Sequence, residues 1–482
     1  MDPRALYLYT QILRHAHVFF SERANAAVRE TDVRFVPLET ALRLRHPCIA
    51  IPTDLIRRYD YSDAYEVTVA GATLRLCHRI LRPDSREWTA FPTESAPLWL
   101  IHESGTRLPA WDLFGTLFSL LTLEYEGAHT ERDRHGRFIA AFDPRLKAGL
   151  LEQPLFNDAV FLLIVEAFRM REGDGALSSI ADEIKPPAMI LSHDCDILEG
   201  NDIWTQSIRL GRVVLPLAKR KTPRLDNLWW AVRNAVKPRE FYFDNIPGLI
   251  TLERTFGYRS TFYILNGTGG RFGARSGSKL LASLVGAISD TWEIGIHYNY
   301  DTHLDHDRFS RQQAELHAIA GRTVSTGRAH YLRFDPVKSL PFYRAHGITL
   351  DESVGYPDRI GYRVAVGGCY RPYDPESERE MDMWQVPMVV MENTLLAQYA
   401  DNSLRAFTDL LNHLSRVGGA LSLIFHPGLF YNPEFRTHRR LYHRMLQTGR
   451  DHGAFGWTAR HLSELASSAP TVPSDTGKGG RP

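Results

Sequence analysis

The spacing of hydrophobic positions changes along the chain, and the change falls near residue 171. Before it, an alternating apolar pattern at 66–78 (EVTVAGATLRLCH) is typical of β-strand. Leucines three or four residues apart at 111–127 (WDLFGTLFSLLTLEYEG) indicate a helix that Gly127 can end. We therefore predict an N-terminal α+β domain over residues 1–170.

Residues 171–187 are polar, carry glycine and end in two prolines, which predicts a linker. Beyond them, short apolar runs alternate with helical patterns such as 307–321 and 403–419. The runs are PAMIL (187–191), TFYIL (261–265), WEIGI (292–296), HYLRF (330–334), MWQVPMVV (383–390) and ALSLIF (420–425). This alternation predicts parallel βα units over 188–466, as an open sheet or a barrel, and the length favours a barrel. The polar end, 467–482, is predicted to be a disordered tail.

Composition narrows the class of protein. Hydrophobic residues make up 44% and charged residues 23%, which is typical of a folded globular chain. The 57 basic and 56 acidic residues nearly balance, which argues against a dedicated nucleic-acid binder. Four scattered cysteines form neither a disulfide framework nor a CxxC zinc motif. Neither a signal peptide nor a membrane-length apolar run is recognisable, so we expect a cytoplasmic protein without a membrane span.

Two carboxylates follow the first apolar run of the predicted barrel, where barrel enzymes place their chemistry. In S-H-D-C-D (192–196), the two-residue period of a strand puts Asp194 and Asp196 on one face and His193 and Cys195 on the other. Adjacent carboxylates repel unless a cation or a shared proton intervenes. One can therefore bind metal while the other acts as a base. The alternatives are a helix N-cap and the DxD motif of a glycosyltransferase, although no Rossmann-type glycine fingerprint accompanies it.

Imidazoles and carboxylates are concentrated after WEIGI, at 297–307. Such a mixture is typical of zinc or manganese sites, and we predict His297 and Asp301 as ligands. The other polar residues of the segment are expected to cap the following helix or to lie at the surface: Asp305, Asp307, His303 and His306.

A third strand end carries His426, where Pro427 stops the strand that ALSLIF predicts. A lone histidine is often structural, but here a metal-binding set of residues occurs elsewhere in the chain. We expect one pocket to contain five side chains, those of Asp194, Asp196, His297, Asp301 and His426.

Several segments resemble, in order, the motifs of the polysaccharide deacetylase (NodB-homology) family of carbohydrate esterases. They are S-H-D-C-D, R-S-T-F-Y-I-L (259–265), E-I-G-I-H-Y-N-Y-D (293–301), R-A-H-Y-L-R-F (328–334), L-D-E-S-V-G-Y-P-D-R-I-G-Y-R (350–363) and L-I-F-H-P (423–427). The N-terminal helix at 111–127 and D-R-H-G-R-F (133–138) are similar to an uncharacterised domain that precedes such barrels. The chain departs from the family pattern at His193, Cys195, Asp301 and His330, which indicates a divergent subgroup.

The resemblance implies a distorted (β/α) barrel of about seven strands. It also implies metal-dependent removal of N- or O-acetyl groups from a glycan or its precursor. It assigns Asp194 as general base, His426 as general acid and the Tyr331 backbone N–H as an oxyanion donor. The metal ligands would be Asp196, His297 and Asp301, the last standing where the family has histidine. The implied cofactor is a divalent metal, zinc before manganese, cobalt or iron, and the implied partner is a carbohydrate. A non-catalytic barrel that binds sugar or scaffolds polysaccharide assembly is the alternative.

Overall fold

The N-terminal part of the protein builds a small mixed sheet flanked by helices. The computed structural model describes residues 1–55, 61–78, 87–91, 97–127, 129–196, 203–218, 228–229, 232, 245–267, 272–273, 278–288, 292–430 and 435–470. The N-terminal helices are α1 (Pro3–Phe19), α2 (Glu22–Glu30), α3 (Leu38–Ala41), α4 (Leu113–Leu121), α5 (Glu124–Gly127) and α6 (Leu155–Glu172). The strands are β1 (Val33–Val36), β2 (Cys48–Pro52), β3 (Tyr65–Val69), β4 (Ala72–Leu76), β5 (Trp88–Phe91), β6 (Trp99–His102) and β7 (Thr106–Pro109).

Five of these strands form a sheet in the order β1-β2-β7-β6-β5, parallel at the β1 end and antiparallel at the β5 end. The alternating segment 66–78 is confirmed as strand and forms a separate hairpin of β3 and β4. The helix predicted over 111–127 is confirmed but divided into α4 and α5. The break falls at Leu123, whose φ of 57° is incompatible with a continuous right-handed helix.

The C-terminal part alternates strands and helices, as predicted. The helices are α7 (Ile203–Ala218), α8 (Asn245–Thr255), α9 (Ser278–Ala287), α10 (His306–Ala320), α11 (Pro336–Ala345), α12 (Glu392–Tyr399), α13 (Ser403–Val417), α14 (Arg436–Asp451) and α15 (Ala459–Ser467). The strands are β8 (Ala188–Cys195), β9 (Ser260–Ile264), β10 (Glu293–Tyr298), β11 (Thr326–Ala329), β12 (Leu350–Asp351), β13 (Tyr373–Asp374), β14 (Arg379–Glu380), β15 (Trp384–Gln385), β16 (Val390–Met391), β17 (Ala420–Ile424) and β18 (Phe455–Gly456).

Nine of these strands form a curled parallel sheet. Eight follow the order β15-β12-β11-β10-β9-β8-β17-β16, and β18 pairs with β8 outside this order. This sheet confirms the predicted α/β class and distorted (β/α) barrel. Two predicted strands differ in detail. HYLRF is a 3-10 turn that follows β11, because Tyr331 and Leu332 adopt positive φ and cannot remain extended. MWQVPMVV is divided into β15 and β16, with Pro387 lying between them.

The N-terminal part packs directly against the curled sheet. One hydrophobic cluster includes residues from α1, α4 and α6 together with residues from β8, β10 and α15. Two buried arginines add polar contacts across this boundary. Arg363 forms an ion pair with Glu126 at 2.7 Å, and Arg145 donates to the Arg363 carbonyl at 2.8 Å. Hydrophobic burial and buried ion pairing therefore both fix the orientation of the N-terminal part.

The proposed linker at 171–187 includes the end of α6 and a 3-10 segment, Asp174–Glu183. Most of the predicted tail, 471–482, lies outside the described residues. Within the described ranges, every helix is too short or too polar to cross a bilayer.

The buried pair between Glu126 and Arg363 generates a stability prediction. Replacing Glu126 with alanine leaves the Arg363 guanidinium without its counter-ion in a site where both side chains are about 1% exposed. Breaking such a pair on one side costs about 3–5 kcal/mol. We expect Glu126→Ala to lower the urea midpoint of unfolding by a corresponding amount. The exposed neighbour Glu131→Ala is the control, and equal midpoints for the two variants would contradict the prediction.

Candidate metal centre and active site

The carboxyl ends of the central strands open into a cavity of about 420 Å³. This volume lies within the ~300–1,000 Å³ typical of ligand pockets. Its polar lining includes the residues expected at strand ends and others that the sequence analysis did not assign: Asp194, Asp196, His297, His330, His426, Asn393, Arg134, His135 and Arg137. Phe272, Tyr331, Met391 and several aliphatic side chains complete the wall.

The two-residue alternation predicted for S-H-D-C-D is present at the end of β8. Asp194 and Asp196 both face the cavity. His193 lies on the opposite side, where its ring contacts Glu253 Oε1 and the Phe425 carbonyl, each at 2.7 Å. The strand geometry therefore separates a pair of reactive carboxylates from a histidine that belongs to the core.

Arg328, at the end of β11, fixes the first carboxylate. Its Nη1 donates to Asp194 Oδ1 at 2.7 Å, and its Nη2 donates to Ser192 Oγ at 2.7 Å and to Glu352 Oε2 at 2.5 Å. Arg328 is fully buried. Since Oδ1 of Asp194 is held in this way, Oδ2 is the oxygen that remains on the His297 side, 3.8 Å from His297 Nε2.

The same arginine orients His297 through its backbone. His297 Nδ1 lies 3.0 Å from the Arg328 carbonyl, which can only accept, so Nδ1 carries the proton. In the neutral ring, the Nε2 lone pair then points towards Asp196 Oδ1, 3.0 Å away. Within the part of the chain that the structure describes, neither of these two buried atoms has a hydrogen-bond partner. Two acceptors at this distance repel each other unless a proton or a metal cation lies between them.

His330 completes this group. Its Nε2 lies 3.6 Å from Asp196 Oδ2, and one ligand atom from each of Asp196, His297 and His330 lies within 4.8 Å of the others. Two imidazole nitrogens and a carboxylate are the donor set of many catalytic zinc sites. The hydrogen bond from His297 Nδ1 to the Arg328 carbonyl also matches the usual orientation of a ligating histidine. The residues present therefore fit a divalent metal.

Asp301, the third ligand expected from the sequence, is not among the residues that line this cavity. It lies in a short 3-10 turn, Tyr300–Thr302, where the chain leaves β10. His330 supplies the third ligand atom of the group in its place. The expected cap is confirmed, since Asp305 accepts from the Arg308 N–H at 3.0 Å at the start of α10.

His426 lies at the end of β17, on the other side of Asp196. Its Nδ1 contacts Glu392 Oε1 at 2.7 Å, and its Nε2 lies 3.8 Å from Asp196 Oδ2. Burial alone would lower the pKa of His426. The Glu392 carboxylate, aided by Asp196 and Asp194, outweighs that effect and raises the pKa to about 10. In the protein without metal, His426 is therefore an imidazolium at neutral pH.

Neighbouring side chains lower the pKa of both aspartates. Burial opposes the charge of Asp194, but Arg328 and then His297 lower its pKa below the usual value. Burial also opposes the charge of Asp196, yet His330 and His297 hold its pKa well below the usual range. The site is thus arranged around anionic carboxylates rather than protonated ones.

Tyr331 is fixed by a residue from the N-terminal part. Its φ of 62° is unusual for a residue with a side chain, and Arg137 Nη1 donates to its carbonyl at 2.6 Å. Such strained backbone is concentrated at functional sites. Tyr331 thus lies on the cavity wall.

Four contributors to the site were missed from the sequence: Arg328, His330, Glu352 and Glu392. The strand-end rule could have selected the two glutamates, since Glu352 follows β12 and Glu392 follows β16 directly. Arg328 and His330 lie in the quoted R-A-H-Y-L-R-F segment, but its apolar residues were interpreted as a strand. That interpretation placed the strand end too late by several residues.

Comparison with known proteins reveals similarity in backbone fold only. No family model matches the chain, and no curated protein sequence matches it. A Mycobacterium smegmatis structure assigned as a polysaccharide deacetylase is 14% identical, with a TM-score of 0.38 over 62% of this chain and 96% of that one. A Puue allantoinase is 11% identical, with a TM-score of 0.39 over 59% and 91%. A family 4 carbohydrate esterase from Streptomyces lividans, in complex with acetate, is 13% identical, with a TM-score of 0.29 over 59% and 97%.

The ligand set generates a binding prediction. We expect Asp196→Ala and His330→Ala to weaken Co²⁺ and Zn²⁺ binding by about 100-fold or more. Replacing a residue that only hydrogen-bonds a metal ligand already lowers metal affinity ~10- to 100-fold. Asp301→Ala is the matched control and should bind like the parent, because Asp301 does not line the cavity. Competition with a chromophoric chelator measures each affinity. Weakened binding in Asp301→Ala with unchanged binding in His330→Ala would return Asp301 to the ligand set.

Proposed function

We propose that the protein is a metal-dependent hydrolase that removes N- or O-acetyl groups from a glycan or a glycan precursor. The observation that supports this most strongly is the pair of buried acceptors, Asp196 Oδ1 and His297 Nε2, which lie 3.0 Å apart without a hydrogen bond. The Asp194 carboxylate and the His426 imidazole lie on either side of that pair, in the same cavity. Metal-assisted hydrolysis of an acyl group uses this combination of a cation site, a base and an acid.

A divalent ion, held by Asp196, His297 and His330, would supply a Lewis acid that polarises an acyl oxygen and lowers the pKa of water. Zinc suits this nitrogen-rich donor set best, and manganese, cobalt or iron could also bind it.

Asp194 is the proposed general base. Arg328 holds its Oδ1, so the second oxygen is available on the cavity side to take a proton from water. The same ion pair keeps the carboxylate in its anionic, accepting form. A base fixed by a buried arginine also loses little orientational freedom when substrate binds.

His426 is the proposed general acid. Glu392 Oε1 accepts a hydrogen bond from the Nδ1–H of His426. The ring is therefore oriented with Nε2 towards Asp196 and the cavity. From there it can protonate the departing amine or alkoxide. The Tyr331 N–H is proposed to donate to the developing oxyanion, since Arg137 holds the carbonyl of the same residue in place.

The base assignment is tested by Asp194→Asn. An amide cannot accept the proton of water, so kcat for acetate release should fall by ~10²- to 10⁴-fold, the usual contribution of general acid–base catalysis. Metal content should remain that of the parent, because Asp194 is outside the ligand set. Acetate release from a panel of acetylated sugars and metal analysis are measured on the same preparation. Full activity in Asp194→Asn would rule out this base. A metal-loaded parent that releases no acetate from any sugar would favour the non-catalytic, sugar-binding alternative.

The acid assignment is tested by comparing leaving groups. We expect His426→Gln to lower turnover of an N-acetyl sugar by ~10²-fold or more, because an amine must be protonated as it departs. Turnover of 4-nitrophenyl acetate should fall much less, since its phenolate leaves without a proton. Equal losses on both substrates would mean that His426 does not act as the acid.

A further inference from the structure

Three residues of the N-terminal part line the cavity. The proposed mechanism gives no role to the side of the cavity on which Arg134 lies. The three residues are Arg134, His135 and Arg137, and they belong to the D-R-H-G-R-F turn. The curled sheet alone therefore does not complete the cavity wall.

This turn is rigidly built. Asp133 Oδ1 accepts from the backbone N–H groups of His135 at 2.8 Å and Arg137 at 2.9 Å. Asp133 Oδ2 accepts from Arg137 Nε at 2.9 Å and Nη2 at 2.7 Å. The remaining terminal nitrogen of Arg137 binds the Tyr331 carbonyl. The turn is thus attached to the edge of the active site, and its side chains have defined positions.

Arg134 is the cation of this turn that remains available to bind a ligand. Asp133 neutralises Arg137, whereas no carboxylate in the described ranges lies within ion-pair distance of Arg134. Its Nε donates to His135 Nε2 at 3.1 Å, which orients the guanidinium but leaves its terminal nitrogens uncommitted. His135 Nδ1 then donates to the Tyr300 hydroxyl at 3.2 Å.

An aromatic surface lies beside this guanidinium. The ring of Tyr331, 39% exposed, has its centroid 5.3 Å from that of His135 and 4.7 Å from that of Phe272. Tyr300 closes the group, 4.8 Å from Phe272. The C–H faces of a sugar ring pack on such aromatic side chains, while a guanidinium binds carboxylate or phosphate through paired hydrogen bonds.

We propose that this wall is a subsite for an anionic sugar, in which Arg134 binds a carboxylate or phosphate of the substrate and the aromatic group of His135, Phe272 and Tyr331 packs against its ring. This inference rests on the proposed deacetylation for its reaction, and it adds the class of substrate. Arg134 and the proposed metal-binding residues line the same cavity. A substrate anion at Arg134 would therefore orient the acetyl group towards the metal-binding residues.

The test uses the metal-loaded full chain and three sugars. N-acetylglucosamine is neutral, N-acetylmuramic acid carries a carboxylate and N-acetylglucosamine 1-phosphate carries a phosphate. Calorimetric Kd at fixed ionic strength is measured for the parent, Arg134→Gln and Arg134→Lys. Arg132→Gln is the matched control, because Arg132 is exposed, lies two residues away and donates to backbone carbonyls rather than lining the cavity.

We expect Arg134→Gln to raise Kd for at least one anionic sugar about 10-fold, a difference of 1.4 kcal/mol, and to leave the neutral sugar within about 2-fold. Arg134→Lys should retain much of the anionic preference, and Arg132→Gln should match the parent. A loss confined to the carboxylate or to the phosphate identifies which group binds. Unchanged affinity in Arg134→Gln, or equal losses for all three sugars, overturns the subsite.

Failure of the reaction and failure of the subsite give different results. If no sugar releases acetate but Arg134→Gln still weakens only anionic binding, the subsite stands and the proposed deacetylation falls. If acetate is released while Arg134→Gln binds every sugar like the parent, the deacetylation stands and the subsite falls.

Discussion

A single buried guanidinium, that of Arg328, connects the strands on which the candidate site is built. Its side chain binds Ser192 and Asp194 at the end of β8 and Glu352 after β12. Its backbone carbonyl binds the ring of His297 on β10. Placing a charge in the interior costs several kcal/mol unless its donors are satisfied, and here they are, with the ring of Tyr263 packed 4.4 Å from the guanidinium carbon. The orientation of both the proposed base and a proposed metal ligand therefore depends on one residue.

The charge balance around Arg328 bears on the position of the proposed cation site. Asp194 and Glu352 share the charge of the arginine, so their carboxylates are compensated inside the fold. Within the described residues Asp196 contacts imidazoles and not an arginine or a lysine. Asp196 Oδ1 and the Nε2 lone pair of a neutral His297 are two electron-rich atoms that face each other, 3.0 Å apart. A divalent ion between these two atoms would remove the repulsion, so charge and ligand geometry favour the same position for the proposed metal.

The sequence predicted those parts of the site that depend on strand periodicity. Alternation along β8 correctly separates Asp194 and Asp196 from His193, and the strand-end rule correctly brings His297 and His426 to the cavity. Prediction failed where the chain stops being a strand. Asp301 is displaced by the 3-10 turn after β10, and His330 reaches the site because the chain turns sharply at Tyr331, where φ is 62°. Hydrophobic patterns carry no information on such a turn, because its geometry comes from distant contacts, including that of Arg137 with the Tyr331 carbonyl.

Those distant contacts also explain why the two parts of the chain act together. The hydrophobic cluster and the Glu126–Arg363 pair hold the N-terminal part in one orientation against the sheet. Only in that orientation can the turn around Asp133 extend to the cavity and bind Tyr331. A loosely attached domain would lose the few kcal/mol of each such hydrogen bond to its own motion. Since Tyr331 is strained, its conformation persists only where the surroundings over-determine it. The N-terminal part thus contributes to the site twice, as a wall of the cavity and as the support of the loop that the proposed reaction requires.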